Sequence, residues 1–267
     1  MNELVRTARD GPLLSVTINR ADKRNALSAE TLRALEFAFR ASAADPDLAL
    51  VILVGSGTRA FAAGGDLHEL QALRSAPMIE EFTRAARMAL DAIRHFPLPV
   101  VAALNGDALG GGAELAVACD VRVAAAHARI GFVQGKLALS TAWGGGIDLM
   151  RLLGSARALE LLASARLVTA TDAMALGLVN AVAPSEEKDL GAFTKRWCEA
   201  WLAQAPHVMR AFKRQALAER LGRSREDREN LEHEDFVASW LHADHWRAAE
   251  TLLAGMAGQR GRRGATE

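Results

Sequence analysis

The sequence predicts an α/β fold in which a mostly parallel sheet is followed by a helical C-terminal part. Leu48–Val54 and Pro99–Leu104 are continuous apolar runs, as expected of strands that are covered on both faces. A helical stripe of apolar residues lies between them, and strands that alternate with helices imply right-handed crossovers and parallel pairing. After about Glu160 the strand signals fade, and the alanine-rich helical segments that follow carry Trp197, Trp201, Trp240 and Trp246.

Shorter signals place the other elements in order along the chain. Leu13–Ile18 is an apolar run enriched in strand-forming residues. Ser28 is placed to cap a helix whose apolar residues recur at helical spacing, and a second such stripe runs from Ile79 to Ile93. Asn105-Gly106 then turns the chain from the second buried strand toward a glycine triplet. No internal repeat at a fixed period is present in the sequence.

Length and composition set the domain organisation. The chain has 267 residues, of which 50% are hydrophobic, so it can bury one large core with or without an appendage. We predict a core over residues 1–183 and a helical region over 184–257, whose aromatic residues serve either subunit contacts or packing within the chain. The glycine- and arginine-rich stretch 258–267 is predicted to be a disordered tail.

Charge and cysteine usage exclude several classes of function. The chain has 32 basic and 32 acidic residues, so it lacks the basic footprint of a nucleic-acid-binding protein. No apolar stretch reaches the ~20 residues that span a bilayer, and the N-terminus lacks the apolar centre of a signal peptide. Cys119 and Cys198 have neither disulfide nor metal spacing, and the histidines form no zinc-type pair. We therefore expect a cytoplasmic protein with no metal site.

The segment Leu109–Leu115 is the most informative part of the chain. Its three glycines run into an apolar, helix-forming stretch, which leaves backbone N–H groups bare at a helix N-terminus. Glu114 lies one turn away, where it could act as a base beside an oxyanion. The alternative is that Glu114 only interacts favourably with the helix dipole, as any carboxylate in a first turn does.

A second glycine loop, Phe61–Leu67, follows the first buried strand. It offers backbone donors at the carboxyl edge of the predicted parallel sheet, where ligands bind in α/β folds. Taken alone, the loop is equally explained as a tight turn in which Asp66 caps the next helix. Together with the glycine triplet it supplies two N–H groups, and two converging donors are what an oxyanion hole requires.

The remaining motifs carry less information. Gly144–Gly146 is interpreted as a loop or as close helix packing, and His68 as a surface histidine. No glycine cluster is followed by the Lys-Ser/Thr of a phosphate-binding loop, and Leu115 occupies the third glycine position of a dinucleotide fingerprint. A Gly-x-Ser-x-Gly elbow is absent as well, so a serine hydrolase is not predicted.

With these loops in hand, the chain resembles the enoyl-CoA hydratase/isomerase (crotonase) superfamily from about Leu13 to Pro184. Three segments in order carry the resemblance: Asn19–Leu27, Ala60–Leu67 and Asn105–Asp120. The first has Ala21 where the family usually has proline. The resemblance implies a crotonase-like spiral of ββα units with a helical C-terminal trimerisation region, assembled as a homotrimer or a dimer of trimers.

The resemblance also implies the chemistry. An acyl-CoA thioester would place its carbonyl oxygen between the N–H groups of Gly65 and Gly111, where an enolate is stabilised. CoA enters as part of the substrate, so no separate cofactor is expected. Contacts to substrate and CoA are expected from Lys23, Arg24, Ala63, Gly64, Asp66, Leu67, Gly110 and Trp143.

Two departures from the family pattern bear on the reaction. Hydratases of the family use two glutamates, and here Glu114 matches the first while Gln134 stands in place of the second. An amide can orient water but cannot exchange a proton with it at neutral pH. The basic C-terminal contact to CoA is also missing, since the stretch near Leu253–Met256 carries no charge.

We predict an acyl-CoA enzyme, formally an enoyl-CoA hydratase, with catalytic residues Glu114, Gly65, Gly111 and Gln134. One alternative is a decarboxylase of a branched malonyl-type acyl-CoA. Ethylmalonyl-CoA-type decarboxylases look similar through Gly110–Leu115, Phe132-Val133 and Trp143–Gly145, and they also lack the second glutamate. A further alternative is a homologue that binds acyl-CoA but turns it over weakly.

Overall fold

The chain forms two β-sheets wound into a spiral with helices around them. The computed structural model describes the backbone of residues 3–263 and the side chains of residues 3–254. The strands are β1 (Val5–Asp10), β2 (Leu13–Ile18), β3 (Leu50–Gly55), β4 (Ala60–Ala62), β5 (Val100–Leu104), β6 (Asp107–Leu109), β7 (Val121–Ala124), β8 (Arg129–Gly131), β9 (Val168–Thr169) and β10 (Ala181–Val182).

Helices follow the strands and then occupy the whole C-terminal part. They are α1 (Ala29–Ser42), α2 (Leu67–Leu70), α3 (Ala76–Arg94), α4 (Gly111–Ala118), α5 (Gly145–Leu153), α6 (Ser155–Ser164), α7 (Ala170–Ala175), α8 (Leu190–Trp197), α9 (Glu199–Leu202), α10 (Pro206–Arg220), α11 (Arg225–Leu241) and α12 (Ala243–Arg263). Short 3-10 helices lie at Ala21–Lys23 and Val133–Leu137. Among the described residues, no helix is both long and apolar enough to cross a membrane.

The strand order shows the spiral directly. The larger sheet has the order β1-β2-β3-β5-β7-β10, and the smaller has the order β4-β6-β8-β9. Except for the antiparallel pairs β1·β2 and β8·β9, neighbouring strands are parallel. Each turn of the chain adds a longer strand to the first sheet, a short strand to the second, and then a helix. The predicted α/β spiral of ββα units is confirmed.

The core lies between the larger sheet and the helices that cover it. Ser28 caps α1 by accepting a hydrogen bond from the Thr31 N–H, as the sequence predicts. The inward face of α1 packs on α3, and Phe39 meets Phe96 edge to face with ring centroids 5.4 Å apart. The strands β3 and β5 are buried on both sides, which explains their continuous apolar runs.

The C-terminal region is helical, as predicted, and is attached to the core by polar contacts as well as by packing. The helix α8 packs against β3 and β5, so the first helix beyond the predicted boundary at residue 184 covers the sheet. On α10, Lys213 is 3% exposed and places its Nζ 2.6 Å from both carboxylate oxygens of Asp120. The predicted tail 258–267 overlaps α12, and its residues 264–267 lie outside the described residues.

Candidate active site

The two glycine loops meet at one edge of the smaller sheet. They follow β4 and β6, which are parallel neighbours, so both loops begin at the same edge. A Cβ built on Gly64 would lie 3.0 Å from the Leu109 carbonyl oxygen and 3.7 Å from the Gly111 nitrogen. A Cβ on Gly112 would lie only 1.9 Å from the Ala62 carbonyl oxygen, so this approach of two backbones is open to glycine alone.

Each loop presents N–H groups that have no acceptor among the described residues, and the two predicted donors, Gly65 and Gly111, are among them. Gly111 is the first residue of α4, where an N–H has no partner within the helix. The Gly65 N–H makes no hydrogen bond either, although Leu27 is bonded to both of its neighbours, donating to the Gly64 carbonyl at 2.8 Å and accepting from Asp66 at 3.2 Å. The loops are therefore anchored while two of their donors stay available to a ligand.

Both glycines line a cavity of about 590 Å³. Most of its wall is apolar, which suits an acyl chain. Among the described residues that line it, Glu114 is the one carboxylate and Gln134 the one side-chain amide. The apolar wall is formed by Leu67, Leu70, Leu73, Ile79, Phe82, Leu137, Leu139 and Trp143.

Glu114 is buried and firmly held. The residue is 2% exposed. The Oε2 atom accepts hydrogen bonds from the N–H groups of Trp143 and Gly145, both at 2.9 Å, and Oε1 accepts one from Gln134 Nε2 at 2.9 Å. Burial raises the pKa of the Glu114 carboxyl, and these hydrogen bonds oppose the rise. A fixed carboxyl whose pKa is raised in this way can accept a proton and return it.

Gln134 brings an unsatisfied acceptor to the same place. It lies in the 3-10 helix Val133–Leu137, and its Nε2 is used by Glu114. Its Oε1 is buried and has no hydrogen-bond partner among the described residues. A buried acceptor without a partner costs about 1–3 kcal/mol, so a water or substrate group that donates to Oε1 is favoured.

The structure brings most of the predicted contact residues to this cavity. Ala63, Gly64, Leu67, Gly110 and Trp143 all line it, together with Gly65, Gly111, Glu114 and Gln134.

Three predicted contact residues lie elsewhere. Lys23 and Arg24 are exposed and outside the cavity wall, although the Arg24 carbonyl accepts the Ala63 N–H at 3.0 Å and so adjoins the donor loop. Asp66 also lies outside the wall. It caps α2 through the His68 N–H and pairs with Arg20 at 2.9 Å, as the simpler interpretation of this loop predicts.

Sequence reasoning missed the part played by the third glycine cluster. The N–H of Gly145 holds Glu114, and a Cβ on Gly145 would lie 2.4 Å from Glu114 Cγ. The sequence predicts close packing at Gly144–Gly146, which this contact shows, but it does not predict that the Gly145 N–H donates to the carboxylate. The available signal was position: Trp143-Gly144-Gly145 follows Gln134 closely and begins a helix, where N–H groups are free.

Comparisons with known proteins identify the family of the chain. A sequence profile of the enoyl-CoA hydratase/isomerase family matches residues 9–252. The chain belongs to that family. It is therefore an enzyme of a family that acts on acyl-CoA, and the predicted superfamily is confirmed.

Several relatives of the chain are named as hydratases. It is 39% identical to the crotonyl-CoA hydratase of Syntrophomonas wolfei over 179 residues, which cover 67% of this chain and 68% of that protein. It is 36% identical to the short-chain-enoyl-CoA hydratase of Clostridium acetobutylicum over 181 residues, with 67% and 68% covered. Identity to the mouse mitochondrial methylglutaconyl-CoA hydratase is 37% over 198 residues, which cover 73% of this chain and 63% of the mouse protein.

Solved structures extend the similarity over nearly the whole chain. A crystal structure of an enoyl-CoA hydratase from Polaromonas sp. JS666 superposes with a TM-score of 0.86 at 31% identity, covering 94% of this chain and 97% of that one. The enoyl-CoA hydratase from Bacillus anthracis gives a TM-score of 0.88 at 28% identity, with 94% and 96% covered.

Proposed function

We propose that this chain is a cytoplasmic enoyl-CoA hydratase in which Glu114 is the one proton-transferring group and Gln134 places the water. The observation that carries the proposal is that Gly65 and Gly111, whose N–H groups have no acceptor within the described residues, line one cavity together with a buried carboxylate. The relatives named as hydratases support hydration over other reactions of the family. CoA is carried by the substrate, and the reaction needs no further cofactor.

The thioester carbonyl oxygen is assigned to the space between Gly65 and Gly111. Negative charge grows on this oxygen as an enolate forms, so both donors act mainly in the transition state. Loss of one such donor typically costs about 3 kcal/mol of transition-state stabilisation. Arg24 adjoins the loop at Ala63 through its carbonyl, and Lys23 precedes it in the chain; both provide cationic side chains suited to the phosphates of CoA.

Hydration then adds water across the C2=C3 bond. The water oxygen bonds to C3 while the Glu114 carboxylate takes one water proton, and the π electrons move to the thioester oxygen as an enolate. C2 next takes a proton from the Glu114 carboxyl, so the enzyme returns to its starting protonation state. Gln134 Oε1 accepts the other hydrogen of the water, which orients the water without exchanging a proton.

Decarboxylation of a branched malonyl-type acyl-CoA is the second candidate, favoured by the presence of one carboxylate in the described cavity wall. The bond between C2 and the carboxylate breaks and CO₂ leaves. The electron pair of the broken bond stays with the thioester and forms the same enolate between Gly65 and Gly111. Glu114 in its protonated form then supplies a proton to C2. No second carboxylate and no bound water are needed for this sequence.

A side-by-side turnover assay with crotonyl-CoA, a 3-enoyl-CoA and ethylmalonyl-CoA tests the proposal. We expect hydration of crotonyl-CoA and little conversion of the other two. Release of CO₂ from ethylmalonyl-CoA with negligible hydration would establish the second candidate instead. Calorimetry with the same compounds completes the test, since tight binding without conversion of any of them identifies a binding homologue rather than an enzyme.

We further propose that the C-terminal helices assemble the chain into a homotrimer or a dimer of trimers. Apolar side chains on α11 and α12 are exposed in the single chain, which is typical of surfaces that bind another protein. They include Phe236, Trp240, Leu241 and Trp246. Light scattering should give three or six times the mass of one chain, and the mass of one chain would contradict the proposal.

A further inference from the structure

The loop that holds Glu114 is itself held from its other side by two arginines of α3. Arg94 Nη2 donates to the Trp143 carbonyl oxygen at 2.8 Å, and Arg87 Nε donates to the Ala142 carbonyl oxygen at 2.8 Å. The two arginines are seven residues apart, which places them on one face of the helix. Two consecutive carbonyls of the loop are thus bound by two cations.

Arg94 is fixed in turn by a buried network. It is 9% exposed, and its Nε donates to Asp148 Oδ2 at 2.8 Å while its Nη1 donates to Asp91 Oδ1 at 2.7 Å. Asp148 Oδ1 also accepts a hydrogen bond from Arg220 Nε at 3.0 Å. The other nitrogens of Arg220 donate to the carbonyls of Val117 and Ala118, at the end of the helix that carries Glu114.

One peptide unit of the loop links Arg87 directly to the carboxylate. The Ala142 carbonyl and the Trp143 N–H belong to the same peptide. Arg87 binds the oxygen of this peptide, and Glu114 binds its N–H. A hydrogen bond to a carbonyl strengthens the hydrogen bond that the attached N–H donates. The carbonyl bound by Arg94 belongs to the next peptide, whose N–H is that of Gly144 and is not bonded to Glu114. Arg94 therefore acts on the carboxylate by holding the backbone between the Trp143 and Gly145 donors.

We infer that Arg87 and Arg94 are positioning residues that orient the loop 142–145, and that Arg87 also strengthens the hydrogen bond from the Trp143 N–H to Glu114. Neither arginine lines the cavity that contains Glu114. The inference rests on the proposed role of Glu114 as the proton-transferring group.

A second pocket of about 500 Å³ lies on the other side of the loop, and its lining includes Arg87, Arg94, Arg151 and Arg220. The proposed reaction does not use this pocket, and the inference gives two of its arginines a role. The charged and titratable groups that line either the cavity at Glu114 or the pocket behind the loop are, besides Glu114, Arg87, Asp91, Arg94, His95, Lys136, Asp148, Arg151 and Arg220.

The test is a titration of Glu114 in three variants, Arg87→Met, Arg94→Met and Arg94→Lys. The carboxyl signal of Glu114 in ¹³C-glutamate-labelled protein is assigned by its loss in Glu114→Gln. Because the arginines favour the charged carboxylate through the loop, we expect Arg87→Met to raise the pKa of Glu114 by about half a unit or more. Arg94→Met should raise it further, and Arg94→Lys should restore part of the shift.

The same variants are compared in turnover assays. A rise of half a pKa unit lowers the charged fraction about threefold at pH values below the pKa, so kcat should fall by about that factor there and KM should stay constant. The matched control is Arg84→Met, since Arg84 lies on the same helix, is exposed, and has no hydrogen bond or ion pair within the described residues. It should change neither the titration nor kcat.

Arg87 is exposed, so its replacement leaves the fold intact even if loss of the buried Arg94 does not. An unchanged Glu114 titration in folded Arg87→Met would overturn the inference. The titration needs no turnover, so it remains decisive if the chain hydrates no acyl-CoA. Failure of the proposed function and failure of this inference are therefore seen in different measurements.

Discussion

The two loops assigned to the oxyanion differ in how tightly they are packed. Gly110, Gly111 and Gly112 are all buried, and a Cβ on Gly111 would lie 2.2 Å from Cζ3 of Trp143. In the other loop Gly65 is half-buried, and a Cβ there would meet only the end of the flexible Leu70 side chain, 2.7 Å away at Cδ1. One donor is enclosed by rigid groups, and the other faces a movable one.

This difference separates two tasks within one site. The Gly111 donor shares its surroundings with Trp143, whose N–H also holds Glu114, so oxyanion stabilisation and proton transfer depend on the same rigid contacts. The Gly65 loop continues into α2, where Leu67 is 61% exposed and Leu70 lines the cavity. We expect the first loop to determine the rate of the chemical step and the second to adjust to the acyl group.

The largest effect is expected from Gly112→Ala. The new Cβ would lie 1.9 Å from the Ala62 carbonyl oxygen, so β4 and α4 must separate at the point where the loops meet. Overpacking of this kind typically costs about 3 kcal/mol or more when backbone must move. Urea unfolding should show a loss of that size together with loss of hydration, whereas wild-type stability would contradict the close approach.

Gly111→Ala should leave the fold but damage catalysis. Its Cβ displaces the rigid indole of Trp143, and with it one of the N–H groups that hold Glu114. Because Glu114 then loses one of the donors that fix it, we expect kcat for hydration to fall by about 10²–10³, which is as large as the loss of an oxyanion donor, with a smaller change in KM. A change confined to KM would show that this loop binds the ground state instead.

Gly65→Ala should have a much smaller effect. Only the end of the Leu70 side chain needs to move, and a rotamer change in a partly buried leucine costs about 1 kcal/mol. We expect stability close to that of the wild type and less than tenfold loss of kcat. A loss as large as that of Gly111→Ala would remove the distinction between the loops.

The double variant Gly65→Ala, Leu70→Ala tests whether Leu70 limits the Gly65 loop, and it should show the smallest effect. Shortening Leu70 removes the group that the new Cβ would meet, so the two changes should couple and the double variant should recover activity lost in Gly65→Ala. Additive losses in a double-mutant cycle would show that Leu70 is not the limiting neighbour.

The long strands could be predicted from the sequence, and the short ones could not. The apolar run Leu13–Ile18 coincides with β2, and the runs that indicated β3 and β5 differ from them by only one or two residues at either end. The three-residue strands β4, β6 and β8 are too short for any periodicity to appear. The edge strand β1 was missed because only its first residue is buried, so its sequence lacks an apolar face.

The sequence predicts the parts of the candidate site that depend on residue type, but not those that depend on backbone direction. Glycine triplets and a carboxylate are visible in a sequence, and Gly65, Gly111 and Glu114 do line one cavity. The direction of a backbone N–H is not visible, so the donors at Trp143 and Gly145 were missed. Arg94 resembles an ordinary cation in the last turn of a helix, and its contact with Trp143 spans 49 residues.

The most direct test of Glu114 as the proton-transferring group is the behaviour of Glu114→Gln toward crotonyl-CoA in D₂O. We predict that this variant neither hydrates the substrate nor incorporates deuterium at C2, while calorimetry shows nearly wild-type affinity for crotonyl-CoA. Both results follow if Glu114 is the one group that moves protons and the glycine donors bind the thioester without it. Hydration or C2 deuteration at a rate near that of the wild type would contradict the account.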